Sequence, residues 1–280
     1  MTPRARTLAL ATLALATLAL STLARTLGAQ QADADLAARV DRVLAQTNAT
    51  SATPGCAVGV SHDGRIVEHA FGMADLELGV ANTPKTVFET GSVAKQFTAA
   101  SIVLLAIEGK LRLDDPVRKY VPELPEYGAP LLIRHLLNHT SGVRDWGSVL
   151  ALTGYGRGER VVSQVLALDV ITHQKGVDFT PGAEYSYSNS GYTLLATIVE
   201  RVSKQTLPAF TAERLFKPLG MTAQWRDDYT RLVPGRAQAY APAPGGAWRL
   251  DMPFMNVYGN GGLLLTVGDL LKWNAMLDAR

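Results

Sequence analysis

The residues that could do chemistry begin with a serine and a lysine three positions apart, Ser92 and Lys95. An apolar run, Phe97–Ile107, follows them and ends before Gly109, which is typical of a buried helix that begins near Thr90. Residues three apart on a helix share a face, with Cβ atoms roughly 5–6 Å apart. The positive end of the helix dipole and burial both favour a neutral lysine amine, which can accept a proton from a hydroxyl. The spacing therefore permits Ser-Lys nucleophilic chemistry, although the same pair also arises by chance.

A second set of polar side chains lies in the stretch Tyr185–Tyr192, where a loop enters a predicted helix. Tyr187 and Asn189 are two apart and could present a phenol and an amide to one cleft. A phenol, with an ordinary pKa of about 10, needs a nearby cation to serve as a base. The alternative is a polar, aromatic helix N-terminus without chemistry.

The other residues of chemical interest favour structural roles. His135 and His139 have the spacing of two zinc ligands on a helix, but no neighbouring glutamate or third ligand accompanies them, so we interpret them as a structural pair. The run from Gly259 to Gly262 completes no phosphate-binding fingerprint and predicts a close turn before a strand. The single cysteine, Cys56, is expected to pack in the core.

The N-terminus has the pattern of an export signal. Arg4 and Arg6 precede an 18-residue apolar run, Thr7–Ala24, and small residues up to Ala29 suggest cleavage there. An uncleaved membrane anchor is the alternative. We therefore expect a periplasmic or extracellular protein. Without residues 1–29 the chain has 24 basic and 25 acidic residues, which suggests neither a nucleic-acid partner nor a membrane surface.

The elements that must position these residues follow an α+β pattern. A helical pattern at 33–46 precedes two strands, Cys56–Val60 and Ile66–Phe71, joined by an Asp63-Gly64 hairpin turn. Strand signals are then sparse, and the helical patches are Ile133–Leu137, Val162–Thr172, Tyr192–Val202 and Leu207–Phe216. A strand at Gly261–Thr266 and a helix at Val267–Leu277 close the chain.

These patterns divide the chain into four parts. They are the signal peptide (1–29), the N-terminal part of a sheet domain (30–90), the nucleophile helix and helical region (91–250), and the start of a return to the sheet domain (251–280). We interpret the third part as a helical region inserted into a sheet-containing domain.

Five stretches, in order, resemble the motifs of serine hydrolases related to class C β-lactamases and penicillin-binding D-Ala-D-Ala carboxypeptidases. They are Phe88–Thr98, Gly109–Val117, Ile133–Gly142, Phe179–Gly182 leading into Tyr187–Asn189, and Leu215–Met221. The resemblance extends from about Leu36 to Arg280. It implies the β-lactamase/transpeptidase-like fold, an antiparallel sheet flanked by helices with an inserted helical region.

The resemblance also implies a role for each residue. Ser92 would be the acylated nucleophile, Lys95 its partner in proton transfer, and Tyr187 the general base. Asn189 would hold the lysine or the substrate amide, and the Ser92 N–H would supply half of an oxyanion hole. No metal or organic cofactor is implied. The expected partner is a small-molecule or peptidoglycan-peptide-like substrate, and the expected state is a monomer.

The sequence departs from the family pattern near its end. Family members carry a Lys-Thr-Gly or His-x-Gly motif on a strand that would follow Arg280, and no such motif is present. We therefore expect missing C-terminal strands, an unfinished sheet edge, poor solubility and little turnover. The sequence predicts a serine hydrolase acting on an amide, ester or β-lactam, and the alternative is a non-catalytic or truncated penicillin-binding-like module.

Overall fold

The computed structural model of the protein describes residues 34–46, 50–154, 161–252 and 255–279. The predicted signal peptide lies outside these residues. Within the described ranges, no helix combines the length and apolar character needed to span a bilayer.

Helices make up most of the regular structure. They are α1 (34–44), α2 (Lys95–Ile107), α3 (Ile133–Leu137), α4 (Trp146–Ala151), α5 (Gln164–Thr172), α6 (Asn189–Ser203), α7 (Leu207–Thr211, continued as a π-helical turn at Ala212–Phe216) and α8 (Val267–Asp278). The strands are β1 (Cys56–His62), β2 (Arg65–Phe71), β3 (Met73–Asp75), β4 (Val80–Ala81), β5 (Phe88–Glu89), β6 (Val162–Ser163), β7 (Gln224–Trp225), β8 (Tyr240–Pro242), β9 (Trp248–Leu250), β10 (Met255–Asn256) and β11 (Leu263–Leu265).

The N-terminal hairpin forms as predicted. Strands β1 and β2 pair antiparallel up to His62 opposite Arg65, so Asp63 and Gly64 form a two-residue turn. Both turn residues have positive φ, at 49° and 74°, which is the type I′ geometry that suits the twist of a hairpin.

A small three-stranded sheet supports the predicted nucleophile. Strand β11 lies in its centre, with Leu264 opposite Glu89 of β5 on one side and Leu263 opposite Trp225 of β7 on the other. Thr90, just after β5, donates to the Leu263 carbonyl from both its backbone nitrogen (2.9 Å) and its hydroxyl (3.1 Å). The strand predicted at Gly261–Thr266 is therefore confirmed as β11, and it fixes the chain that leads into Ser92.

The region expected to be mainly helical contains more strand than predicted. Strands β8 and β9 form an antiparallel hairpin from Tyr240 opposite Leu250 to Pro242 opposite Trp248. The alanine, proline and glycine residues of this segment mask the strand pattern. Likewise, β6 occupies the first two residues of the predicted helix Val162–Thr172. Ser163 ends that strand and caps α5 by accepting a hydrogen bond from the Leu166 nitrogen.

The hydrophobic core lies between α2 and α6. Both helices contribute fully buried side chains to it, namely Phe97, Ile102 and Leu105 from α2 and Leu194, Leu195 and Ile198 from α6. Burial of each such side chain contributes about 1.5–3 kcal/mol. The Phe97 ring also contacts Trp273 of α8, with ring centroids 4.4 Å apart. The helix that carries Lys95 is thus anchored on two sides.

Helix α8 covers the N-terminal hairpin at a glycine. A Cβ atom on Gly59 would lie 2.8 Å from side-chain atoms of Val267 and Leu271, so glycine permits this close approach. Cys56 is exposed, and the expectation that it packs in the core is wrong. Cys56 is the first residue of β1, whereas α8 covers the strand near its middle.

Candidate active site

The turn that carries Ser92 is a 3₁₀ segment, Gly91–Ala94, that continues directly into α2. Gly91 has a φ of +52°, in the left-handed region that glycine adopts readily. Thr90, near which the helix was predicted to begin, forms no side-chain cap on this segment, because its hydroxyl binds β11 instead. Ser92 is exposed at the start of the segment, and Lys95 is 6% exposed on the same side.

The Lys95 ammonium group is surrounded by oxygen atoms. Nζ lies 3.1 Å from Ser92 Oγ, 2.9 Å from Asn189 Oδ1 and 2.6 Å from the Asn260 carbonyl oxygen. An ammonium group can donate to all three. A neutral amine can still donate to Asn189 and Asn260 while its lone pair accepts from the Ser92 hydroxyl. The geometry therefore accommodates both protonation states of Lys95.

Burial determines the direction in which the lysine titrates. Loss of solvation lowers the pKa of Lys95 below its ordinary value, although a hydrogen bond to Tyr187 and the charge of Asp145 favour the ammonium form. The rings of Tyr187 and Tyr192 lie 4.9 and 5.5 Å from Nζ and also favour the cation. The neutral amine is consequently more accessible than in a lysine on the surface.

Tyr187 lies on the other side of the serine hydroxyl. Its phenol oxygen is 2.7 Å from Ser92 Oγ, and either atom can be the donor. The Tyr187 side chain is 46% exposed, and its ring stacks on that of His139, with centroids 4.4 Å apart. Ser92 Oγ therefore contacts both groups that the sequence predicted as its proton-transfer partners.

Asn189 is fixed through its backbone as well as its side chain. As the first residue of α6 it presents Oδ1 to Lys95, and its N–H donates to Asp145 Oδ2 at 2.7 Å. The other oxygen of Asp145 accepts from the Ser148 nitrogen at 2.9 Å and so caps α4. All four predicted site residues are brought together, and sequence reasoning missed the contribution of Asp145.

The glycine-rich turn before β11 also belongs to the site. The Gly259 carbonyl accepts from the buried Thr98 hydroxyl at 2.8 Å, which fixes the neighbouring Asn260 carbonyl against Lys95. A Cβ atom on Gly259 would lie 2.6 Å from the Ala196 side chain, so the predicted close turn is confirmed. Sequence reasoning missed the contact between the Asn260 carbonyl and Lys95, because a backbone carbonyl carries no sequence signal.

The two histidines have separate structural partners. His135 Nδ1 accepts from the Leu132 nitrogen at 3.3 Å, whereas His139 Nδ1 accepts from the Ser188 nitrogen at 3.2 Å. In the part of the chain that the structure describes, no group of three or more His, Cys, Asp or Glu side chains is arranged to hold a metal ion.

Comparison with known proteins identifies relatives along most of the chain. The model of the Beta-lactamase family matches residues 40–280. A D-aminopeptidase from Brucella anthropi is 33% identical over 233 residues, which is 81% of this chain and 43% of that enzyme. The chain thus spans less than half the length of this relative.

Two solved structures share the fold. The octameric penicillin-binding protein homologue from Pyrococcus abyssi superposes with a TM-score of 0.74 at 28% identity, covering 87% of this chain and 55% of that one. The D-amino acid amidase from Ochrobactrum anthropi SV3 superposes with a TM-score of 0.69 at 25% identity, covering 81% and 66% respectively. With the family match, these similarities confirm the predicted fold, and the chain belongs to the beta-lactamase family of serine hydrolases.

Proposed function

We propose that this protein is a serine hydrolase that forms an acyl-enzyme on Ser92 and acts on small amide substrates. The observation that carries the proposal is the position of Ser92 Oγ, which lies 2.7 Å from the Tyr187 phenol and 3.1 Å from Lys95 Nζ. A nucleophile within hydrogen-bond reach of its base, with the base oriented by further groups, is the arrangement that acyl transfer needs.

In the proposed acylation, Tyr187 acts as a phenolate that the nearby Lys95 ammonium group stabilises. Ser92 Oγ attacks the substrate carbonyl carbon, and its proton passes to the Tyr187 phenolate, which becomes a phenol. The Ser92 N–H donates to the oxyanion of the tetrahedral intermediate. When the C–N bond breaks, the same proton passes to the leaving amine, and the acyl group remains as an ester on Ser92. Water then attacks that ester, with Tyr187 again accepting the proton, and the free acid leaves.

The names of two relatives support an amide as the substrate. One is a D-aminopeptidase at 33% identity and the other a D-amino acid amidase at 25% identity. Both names describe cleavage of an amide next to a D-amino acid. We therefore propose amides of small D-amino acids as the substrate class, with esters and β-lactams as alternatives. Export and a monomeric state remain predictions from the sequence.

The second candidate is a penicillin-binding-like module that is acylated without efficient turnover. The similarity to the penicillin-binding protein homologue from Pyrococcus abyssi favours it. The two candidates share the acylation of Ser92 and differ in the hydrolysis of the ester.

The full chain should be incubated separately with D-phenylalanine amide, its L enantiomer, a nitrophenyl ester and a fluorescent penicillin. Product release and intact mass would be measured for the wild type, Ser92→Ala and the control Ser61→Ala, which changes an exposed serine of β1. Ammonia release from the D-amide that is lost only in Ser92→Ala supports the amidase. A stable adduct on Ser92 without product supports the binding module. Turnover that persists in Ser92→Ala refutes both candidates.

A further inference from the structure

Helix α3 ends in an unusual way, with His139 in the left-handed conformation at a φ of 56°. The Thr140 nitrogen donates to the His135 carbonyl and the His139 nitrogen to the Leu136 carbonyl, which is the Schellman pattern of a helix C-terminus. Glycine is the usual residue at this position because a Cβ atom is unfavourable there. A histidine at this position therefore strains the backbone.

Two other non-glycine residues in the described ranges have positive φ. Asp63 lies in the type I′ turn, and Lys204 caps the C-terminus of α6 at a φ of 61°. Positive φ at a helix end therefore does not by itself mark a functional residue, and the contacts of His139 distinguish it from the other two.

The contacts of His139 explain why a glycine would not serve. Its carbonyl oxygen accepts from the Ser186 nitrogen at 2.9 Å, and Nδ1 accepts from the Ser188 nitrogen at 3.2 Å. Between these two bonds, the imidazole ring stacks on Tyr187 at an interplanar angle of 27°. His139 thus holds the residue before Tyr187, the residue after it, and the Tyr187 ring itself.

We propose that His139 is a positioning residue of the hydrolase, which orients the Tyr187 phenol toward Ser92 through the stacked ring and the bond to Ser188. The inference rests on the proposed function, because it assigns the strain at the end of α3 to the placement of the general base. The positioning role belongs to the imidazole ring. The backbone carbonyl that accepts from the Ser186 nitrogen would be present with any amino acid at this position.

The role requires a neutral imidazole, because Nδ1 must accept the Ser188 N–H. Burial and the charge of Lys95 lower the pKa of His139 and favour the neutral form. The other titratable groups that face the ring are the phenols of Tyr185 and Tyr187 from the loop and Tyr192 from α6. Protonation at acid pH would turn the acceptor into a donor and release the loop.

The test compares three variants that separate the strain from the contacts. His139→Gly removes the strain together with the ring and its acceptor, whereas His139→Ala removes the ring and its acceptor but keeps the Cβ atom and the strain. His139→Asn tolerates positive φ and can keep an acceptor for the Ser188 N–H, but it loses the stacked ring. Lys204→Gly is the matched control, because it relieves the same conformation at a helix end and Lys204 does not contact the four site residues.

We expect His139→Gly to unfold at a higher temperature than His139→Ala, because the two variants lose the same contacts and differ in the strain. The Ser92 acylation rate of His139→Gly should fall at least ten-fold below that of the wild type. His139→Asn should recover part of that loss, and its rate should fall less at acid pH than that of the wild type, because asparagine does not titrate. Lys204→Gly should gain stability and keep the wild-type rate. The rates would be measured by intact mass with the substrate or penicillin that labels the wild type.

Each outcome bears on a different statement. Wild-type acylation by His139→Gly would overturn the positioning role. A His139→Gly protein no more stable than His139→Ala would overturn the strain argument. Equal losses of rate in the Gly and Asn variants, with an unchanged fall in rate at acid pH, would overturn the role of the neutral acceptor. Labelling that persists in Ser92→Ala would instead refute the proposed function, so the two failures are distinguishable.

Discussion

Asp145 offers a quantitative test of how the site is held together. One of its carboxylate oxygens caps α4 through the Ser148 nitrogen, and the other binds the Asn189 nitrogen at 2.7 Å. Asp145→Ala removes both bonds and leaves the first N–H of α6 without this partner. The same change removes a charge that favours the Lys95 ammonium group.

The expected loss follows from the two bonds. Removal of an aspartate cap costs about 1 kcal/mol. Removal of a charged partner from a partly buried N–H costs about 2 kcal/mol. Asp145→Ala should therefore lower the free energy of unfolding by about 3 kcal/mol. Asp145→Asn has a single carbonyl oxygen for two N–H groups and should lie between the wild type and the alanine variant.

The assay is urea unfolding followed by tryptophan fluorescence, with Ser163→Ala as the matched control. Ser163 caps α5 through one bond to the Leu166 nitrogen, so its loss should cost about 1 kcal/mol. The acylation rate of Asp145→Ala should fall as well, because Asn189 is released from Lys95. If Asp145→Ala costs no more than Ser163→Ala, the bond to Asn189 contributes nothing and the reasoning fails.

Three further predictions concern the lysine and the turn beside it. Thr98→Val leaves the Gly259 carbonyl without its buried donor and should cost about 1–3 kcal/mol and slow acylation, whereas Ser101→Ala, which removes a bond within α2, should cost less and leave the rate unchanged. Gly259→Ala should destabilise the protein, as seen in thermal unfolding, far more than Gly79→Ala, because a Cβ atom clashes with α6 at the first position and meets nothing within 4 Å at the second. Burial lowers the pKa of Lys95, so the unfolded chain binds this proton at pH values where the folded protein has released it, and folding becomes more favourable as the pH rises through that window. The stability of Lys95→Met relative to the wild type should therefore decrease as the pH rises, and an unchanged difference would contradict the shift.

The sequence predicted the reactive residues because their signals are local. Ser92 and Lys95 are three apart, and Tyr187 and Asn189 are two apart, so each pair reflects the geometry of one short segment. The hairpin was also predicted, because Asp63-Gly64 is a turn signal of two residues. The five motifs in order then indicated that the two pairs belong to one site.

The groups that position those residues could not be predicted, because they act across long distances in the chain or through the backbone. The Asn260 carbonyl reaches Lys95 across 165 positions, and Asp145 reaches Asn189 across 44. His139 was interpreted as one of a structural pair, and its position beside Tyr187 depends on the packing of α3 against α6. Nothing in the sequence indicated that His139 would have positive φ.

The central place of β11 has a consequence for how the protein matures. Among the described residues, strand β5, which leads into Ser92, pairs with a strand made about 175 residues later, since Leu264 lies opposite Glu89. At a synthesis rate of about 5–20 residues per second, this partner emerges roughly 10–35 seconds after β5. We therefore expect the nascent chain to lack a fixed serine for that entire interval. An intermediate that has formed the N-terminal hairpin but not β11 should be chemically inert, so the reactivity of Ser92 would report the completion of folding.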